Sequence, residues 1–139
     1  MATLNNSDPI EAEAPDLSGV RILVVEDSWH IGVALKSLLR ALGAEVAGPV
    51  ATAADAAGLA STQNPDAAIV DYNLRGGELA HGLIDRLNEL GVGVIVISAY
   101  ASVPLAPGKA IVVLQKPLVE AQLFAALRVA IDNRRAVAT

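Results

Sequence analysis

Apolar runs of strand length alternate with amphipathic segments of helix length along most of this chain. The first run, Val20 to Glu26, is almost continuous Val, Ile and Leu, which is typical of a central parallel strand covered on both faces. Four further runs follow, separated by segments with apolar residues at helical spacing. This alternation predicts one α/β domain, a doubly wound parallel sheet of five strands with helices on both faces.

The limits of the elements follow from periodicity and from the glycines and prolines between them. Apolar residues at helical spacing from Ile31 to Leu42 predict a helix that Ser28 caps and Gly43 ends. A second apolar stripe, from Leu79 to Leu90, predicts the third helix. The remaining predicted strands span 44–48, 67–71, 92–97 and 110–115, and the remaining predicted helices span 52–63 and 119–135.

Two prolines and a glycine lie between the fourth and fifth strands, where a doubly wound fold places a further helix. Pro104, Pro107 and Gly108 interrupt helical hydrogen bonding or favour turns. We therefore expect a fourth helix that is short or absent.

The composition narrows the possible chemistry. No apolar run approaches the roughly 20 residues that span a bilayer, and the N-terminus lacks the order of a signal peptide, so we expect a cytoplasmic protein. The chain has no cysteine, and its two histidines, His30 and His81, are far apart, which argues against a zinc site. Any metal is expected to be a hard cation with oxygen ligands.

The net charge of −5 is concentrated near the N-terminus. We predict a disordered acidic extension over residues 1–18 and a single domain over residues 19–139. The chain has no basic stripe and few aromatic residues, so neither nucleic acid nor a membrane is an expected partner. The acidic residues of the extension are Asp8, Glu11, Glu13 and Asp16.

Polar residues follow four of the predicted strands at their carboxyl ends, the edge at which open parallel sheets bind ligands. Carboxylates crowded there repel each other by roughly 4 kcal/mol per pair at about 4 Å, so a cation is needed, and Mg²⁺ prefers an all-oxygen site of this kind. A lysine would add a second positive charge, and an aspartate can act as a nucleophile toward phosphorus. The residues are Glu26 and Asp27, Asp71, Ser98, and Gln115 with Lys116.

Four short stretches at these strand ends together resemble the receiver domain of response regulators, the CheY-like superfamily. They are residues 22–27 (ILVVED), 71–74 (DYNL), 97–99 (ISA) and 115–118 (QKPL). The resemblance covers Val20 to the C-terminus. It implies a flavodoxin-like sheet in the order 2-1-3-4-5 and Mg²⁺ as the cofactor.

The resemblance also implies roles for individual residues. Asp71 is the implied phosphoacceptor, Ser98 the hydroxyl that binds a phosphoryl oxygen, and Lys116 the cation that pairs with the phosphate. The peptide bond between Lys116 and Pro117 is a candidate for the cis form. The implied ligands of Mg²⁺ are Glu26, Asp27, Asp71 and the backbone carbonyl of Asn73.

One position departs from the common receiver pattern. Val113 occupies the place where receivers usually carry an aromatic switch residue. Residues 71–78 and 97–102 are similar to those of the stand-alone receivers named for a Phe-Ala-Thr-Gly-Tyr stretch (FAT GUY), in which the tyrosine lies on the loop after strand four. Tyr100 is therefore the expected switch, and Asn73, Tyr100 and Pro117 are expected to tune the site.

The favoured function is that of a single-domain response regulator, which accepts a phosphoryl group on Asp71 from a sensor histidine kinase or a histidine phosphotransfer protein. Because the chain ends one helix after Lys116, we expect no output domain. The protein would signal by contacts with an unknown downstream partner, or act as a phosphate shuttle or sink. We expect a monomer, because the dimer built on the fourth and fifth helices needs a well-formed fourth helix.

Two other functions remain open. A degenerate receiver would bind partners without phosphorylation, although the retained acidic pair and lysine argue against it. An aspartyl-phosphate phosphatase needs a second aspartate two residues after the nucleophile, and Asn73 stands there instead. We therefore expect a phosphoacceptor rather than an enzyme, with at most slow self-catalysed phosphorylation and dephosphorylation. His81 is expected on a helix surface, outside the site.

Overall fold

A computed structural model describes residues 14–138, with side chains described through residue 133. All five strands are parallel and lie in the order β2-β1-β3-β4-β5, which confirms the expected sheet. The strands are β1 (Arg21–Val25), β2 (Glu45–Val50), β3 (Ala67–Asp71), β4 (Gly93–Ser98) and β5 (Val112–Gln115). The helices are α1 (Trp29–Ala41), α2 (Ala53–Gln63), α3 (His81–Glu89) and α4 (Glu120–Ala138), with a 3₁₀ turn at Arg75–Gly77.

The helices cover both faces of the sheet, so the central strands are apolar throughout. Every residue of β3 is buried, as expected for a strand with no exposed face. Alternate residues of each strand point to opposite faces. On one face, Ile22, Val24, Ile69 and Ile95 pack with Leu35 and Leu39 of α1 and Leu123 and Leu127 of α4. On the other, Leu23, Val25, Val70 and Val96 pack with Ala56 and Ala60 of α2 and Leu83 and Leu87 of α3.

No helix forms between β4 and β5, which confirms the expectation drawn from Pro104 and Pro107. The connecting loop covers the sheet instead, because Val103, Leu105 and Ala110 pack against the core on the side of α2 and α3. The loop thus contributes apolar contacts to that face without the regular hydrogen bonding of a helix.

The fold begins slightly before the predicted boundary at residue 19. Leu17 is fully buried, and its amide donates to the carbonyl of Leu42 at 2.8 Å. Residues 1–13 of the predicted disordered extension lie outside the described residues, so that part of the expectation stays a prediction.

Two local predictions were wrong. Ser28 occupies the N-cap position of α1, but its side chain makes no capping hydrogen bond, and its amide donates to Glu26 Oε2 instead. Leu79 precedes α3 and Leu90 follows it, and both side chains are substantially exposed. The buried stripe of α3 is Leu83, Ile84 and Leu87.

The second strand is longer than predicted, and its backbone lies very close to β1 at Gly48. Gly48 has φ +92°, and a Cβ atom there would lie 2.6 Å from the carbonyl oxygen of Val24. Only glycine fits this position, where the register between the two strands shifts. Within residues 14–138, no helix combines the length and apolar character that crossing a bilayer requires.

Candidate functional site

The polar residues singled out in the sequence lie at one edge of the sheet. Glu26 and Asp27 follow β1, Asp71 ends β3, Ser98 ends β4 and Lys116 follows β5. Carboxylate oxygens of Glu26, Asp27 and Asp71 lie within 4.8 Å of one another. Parallel strands place their carboxyl ends together, so the fold itself gathers these groups.

Asp71 lies at the centre of this cluster and is 3% exposed. Its two carboxylate oxygens accept hydrogen bonds from different donors. Oδ1 accepts from the amide of Asn73 at 3.1 Å, and Oδ2 accepts from Nζ of Lys116 at 3.0 Å. The carboxylate is therefore held on two sides and keeps lone pairs free for a third contact.

Glu26 is equally buried but incompletely paired. Its Oε2 accepts from the amide of Ser28 at 3.1 Å, whereas the buried Oε1 makes no hydrogen bond and lies 3.5 Å from Nζ of Lys116. Burial, together with the adjacent Asp71 carboxylate, raises the pKa of Glu26 to about 7. In the metal-free site, a proton on Glu26 thus reduces the repulsion between the Glu26 and Asp71 carboxylates. A bound cation would have the same effect.

Lys116 provides the positive charge between these carboxylates. Its burial alone would lower its pKa, but the hydrogen bond to Asp71 and the charges of Glu26 and Asp71 outweigh that effect and raise the pKa above its usual value. The side chain is 25% exposed, so the ammonium group is reachable from solvent. It remains a cation at any physiological pH.

The charges of the cluster fit a divalent cation. One ammonium group faces three carboxylates, and the buried Oε1 of Glu26 lacks a donor. The ligand atoms are all oxygens, the set that Mg²⁺ prefers. The residues that would hold the ion are Glu26, Asp27 and Asp71. The backbone carbonyl of Asn73 stays an expectation from the sequence.

Ser98 and Tyr100 are linked through the backbone. Ser98 is fully buried, and its Oγ accepts a hydrogen bond from the amide of Tyr100 at 2.9 Å. The Tyr100 side chain is 55% exposed. The expected switch residue is thus attached to the site by its amide, while its ring faces solvent.

The chain turns away from the site directly after Lys116. The peptide bond between Lys116 and Pro117 is cis, as expected. A second cis bond, before Pro49, was not predicted.

An apolar groove of about 670 Å³ begins at Lys116 and runs between α1 and the start of α4. It is lined mainly by Ile31, Ala34, Leu35, Leu38, Leu118 and Leu123.

Sequence reasoning missed two contacts beside the site. Tyr72 is buried, and its hydroxyl lies 2.8 Å from Nε2 of His81, so His81 is not simply a surface residue. Glu78 reaches back to α2, where its Oε1 accepts from the amide of Ala53 at 3.2 Å. No periodicity in the sequence signals these pairings, because they depend on how the loop after β3 closes.

Comparison with known proteins adds evidence at the level of the fold. No protein-family model and no curated protein matches this chain. Solved structures do match. A response regulator receiver domain from Clostridium thermocellum superposes with a TM-score of 0.76 at 20% identity, over 85% of this chain and 98% of that one.

Two other solved structures are somewhat closer in sequence. A CheY-like receiver domain from Methylobacillus flagellatus is 26% identical, with a TM-score of 0.70 over 80% of this chain and 98% of that one. A sensor protein from Polaromonas is 28% identical, with a TM-score of 0.73 over 84% and 98% of the two chains. This protein therefore has the CheY-like flavodoxin fold of response regulator receiver domains.

Proposed function

We propose that this protein is a receiver of two-component signalling that accepts a phosphoryl group on Asp71. The observation that carries the proposal is the buried Asp71 carboxylate, which bonds to Lys116 at 3.0 Å within a cluster of three carboxylates. This arrangement lies at the edge of the sheet where the receiver fold binds its ligands.

The proposed donor is the phosphohistidine of a sensor histidine kinase or a histidine phosphotransfer protein. A carboxylate oxygen of Asp71 forms a bond to phosphorus, and the bond between phosphorus and the imidazole nitrogen breaks. The departing imidazole keeps the electron pair of that bond. It leaves neutral when its other ring nitrogen is already protonated, and otherwise it takes a proton from solvent. The product on this chain is a mixed anhydride, the aspartyl phosphate.

Side chains around Asp71 suit the charge of the transferred group. Lys116 pairs with a phosphoryl oxygen, and the Ser98 hydroxyl is placed to bind another. Bound Mg²⁺ would neutralise part of the phosphoryl charge. In this proposal the chain is a phosphoacceptor in the cytoplasm and not an enzyme acting on other substrates, since Asn73 replaces the aspartate that a phosphatase would use as its acid.

The output is proposed to be a contact with another protein. Val113 offers no aromatic ring on β5, and the loop that replaces a helix carries Tyr100 instead. These two features support a place among the stand-alone receivers with a loop tyrosine (FAT GUY). Such a protein works as a monomeric regulator, a shuttle or a sink for phosphate.

The apolar groove between α1 and α4 is the proposed docking surface for the phosphodonor protein. A donor protein that brings its histidine to Asp71 also covers Lys116, and the groove begins at Lys116. A continuous apolar surface beside Lys116 favours a protein as the phosphodonor over a small polar molecule.

The proposed phosphorylation is tested by exposing the protein to acetyl phosphate with Mg²⁺ and weighing it intact. The wild type is expected to gain the mass of one phosphoryl group, and Asp71→Asn is expected to gain none. Asp85→Asn, a change at an exposed aspartate of α3, is the matched control and is expected to be labelled like the wild type. An unlabelled wild type would support a degenerate receiver.

The role in the relay is tested with a radiolabelled phosphodonor. A shuttle returns the label to a second histidine protein, whereas a sink releases it as inorganic phosphate. A protein that keeps its label and binds a further protein only when phosphorylated is a regulator.

A further inference from the structure

The segment after Asp71 contains two glycines in the left-handed backbone region. Gly76 and Gly77 both have positive φ, and a Cβ atom added at either would meet nothing within 4 Å. The amide of Asn73 donates to Oδ1 of Asp71 at 3.1 Å, and its carbonyl is the oxygen that the receiver resemblance implies as a ligand of Mg²⁺. The position of Asn73 therefore bears on both Asp71 and the proposed cation.

Backbone hydrogen bonds close this loop into a narrow hairpin. Asn73 forms an antiparallel bridge with Leu79, and the amide of Ala80 donates to the carbonyl of Tyr72 at 3.1 Å. Tyr72 and Ala80 are thus the base of the hairpin. The position of Asn73 depends on how firmly this base is attached to the rest of the fold.

The base of the hairpin is attached to the sheet by the Tyr72 amide, which donates to the carbonyl of Ile97 at 2.8 Å, and to α3 by a side-chain contact. The Tyr72 hydroxyl lies 2.8 Å from Nε2 of His81, the first residue of α3, and the two rings meet edge to face at 5.3 Å. Tyr72 is 4% exposed, so few waters compete for this bond. Helix α3 is itself fixed in the core through Leu83 and Ile84.

We infer that Tyr72 and His81 are positioning residues for the metal site, because their hydrogen bond fixes the residue that joins Asp71 to Asn73. Neither side chain is assigned a contact with Mg²⁺ or phosphate. They hold the Asn73 amide against Asp71 and the Asn73 carbonyl toward the cation. The inference rests on the proposed function and adds two residues to it.

The first test compares Tyr72→Phe with the wild type in a calorimetric titration with MgCl₂. The variant keeps the buried ring and loses only the hydroxyl, so it is expected to fold. Its dissociation constant for Mg²⁺ is expected to rise about threefold to tenfold, as for the loss of one ordinary hydrogen bond in a folded protein. An unchanged constant would overturn the inference.

Substitution of His81 separates positioning from packing. Gln retains an acceptor that the Tyr72 hydroxyl can reach, whereas Leu does not. His81→Gln is expected to keep a dissociation constant near that of the wild type, and His81→Leu to match Tyr72→Phe. Equal weakening by Gln and Leu would overturn the inference.

The double variant Tyr72→Phe/His81→Leu tests whether the two side chains act together. Its affinity for Mg²⁺ is expected to equal that of either single variant, because both remove the same bond. Independent, multiplied losses would contradict a shared role. In the metal-free protein, we expect the Asn73 amide to exchange its hydrogen faster in every variant except His81→Gln.

Phosphorylation by acetyl phosphate provides the remaining readout. Tyr72→Phe and His81→Leu are expected to be labelled slowly at low Mg²⁺ and to regain most of the wild-type rate at saturating Mg²⁺. A rate that stays low at saturation would contradict a role in positioning the metal ligands. A wild type that binds no Mg²⁺ would refute the proposed function itself, whereas equal affinity in wild type and variants would refute only this inference.

Discussion

Lys116 and Asp71 are 45 residues apart in the sequence, and Nζ of the lysine lies 3.0 Å from Oδ2 of the aspartate. The contact joins the ends of β3 and β5 across the intervening β4. It places the ammonium group on one side of a carboxylate that has two acidic neighbours. The pair thus brings one positive charge into contact with the central carboxylate of the site.

Replacing Lys116 with Met is expected to lower the free energy of unfolding of the metal-free protein by about 2 kcal/mol. Removing one partner leaves buried carboxylates uncompensated, and partial exposure of the lysine reduces the full cost of such a loss. Mg²⁺ is then expected to raise the melting temperature more in Lys116→Met than in the wild type, because the ion no longer competes with the ammonium group. Thermal melts in EDTA and in MgCl₂ measure both effects.

Lys109→Met serves as the control for that comparison. Lys109 pairs with Asp85 at 2.6 Å, but both side chains are about half exposed, so its loss is expected to cost less than about 1 kcal/mol. Equal destabilisation by the two variants would show that burial does not increase the contribution of the Lys116–Asp71 pair to stability.

A phosphoryl mimic on Asp71 is expected to change the loop after β4. The Ser98 Oγ accepts the Tyr100 amide at 2.9 Å, and a serine that turns to bind a phosphoryl oxygen must weaken that bond. Adding beryllofluoride with Mg²⁺ is therefore expected to shift the amide resonances of residues 98–110, and that of Tyr100 strongly.

Amides at the opposite edge of the sheet are the internal reference for that measurement. Arg21 and Asp66 are bonded to each other there, far from the carboxyl ends of the strands, and their resonances are expected to stay in place. Unchanged shifts across residues 98–110 would refute a switch in this loop.

Mg²⁺ affinity is expected to increase with pH up to about 7 and then level off. Burial, followed by contact with Asp71, raises the pKa of Glu26 from 4.5 to about 7, so below that value the metal-free site holds a proton that the cation must displace. The same raised pKa means that, between 4.5 and 7, the folded metal-free protein binds more protons than the unfolded chain. The contribution of Glu26 to stability is therefore lost as the pH rises through this range.

Titrations with MgCl₂ at several pH values measure this dependence. The dissociation constant is expected to fall by at most about tenfold per pH unit below pH 7, as for displacement of one proton. Glu26→Gln, which does not titrate, is expected to show a much flatter profile. A wild-type profile as flat as that of Glu26→Gln would mean that Glu26 is already ionised at low pH.

The sequence predicted the fold where local patterns were unambiguous. Pro65 and the terminal Asp71 bracket a continuous apolar run, so the predicted bounds of β3 agree with the structure. Pro104 and Pro107 predicted the absent helix for a direct steric reason. Convergence of the strand-end side chains followed from the parallel sheet alone.

Other features could not be predicted, because they depend on contacts between distant parts of the chain. Leu79 and Leu90 continue the apolar spacing of α3, but periodicity does not determine where a helix starts or ends. The bond between Tyr72 and His81 requires the chain to close between two residues that lie nine positions apart. Such pairings produce no periodic pattern in the sequence.

Blocking the groove between α1 and α4 is expected to impair transfer from a protein donor and to spare transfer from a small one. Ala34 is exposed and lines the groove, and an arginine there would occupy the apolar surface while remaining compatible with a helix. Ala34→Arg is expected to slow transfer from a phosphorylated histidine phosphotransfer protein by about tenfold or more, the effect of losing about 1.4 kcal/mol of docking energy. Its labelling by acetyl phosphate is expected to match the wild type, since Asp71 and its neighbours are unchanged.

Ala54→Arg is the matched control, because Ala54 is also exposed on a helix but lies on the opposite face of the sheet. The same added charge and volume at that position is expected to leave both reactions unaltered. If Ala34→Arg and Ala54→Arg slow protein-mediated transfer equally, charge rather than groove occupancy explains the effect. If neither slows it, the donor approaches Asp71 from another side, and the exposed Trp29 beside Asp27 becomes the next surface to substitute.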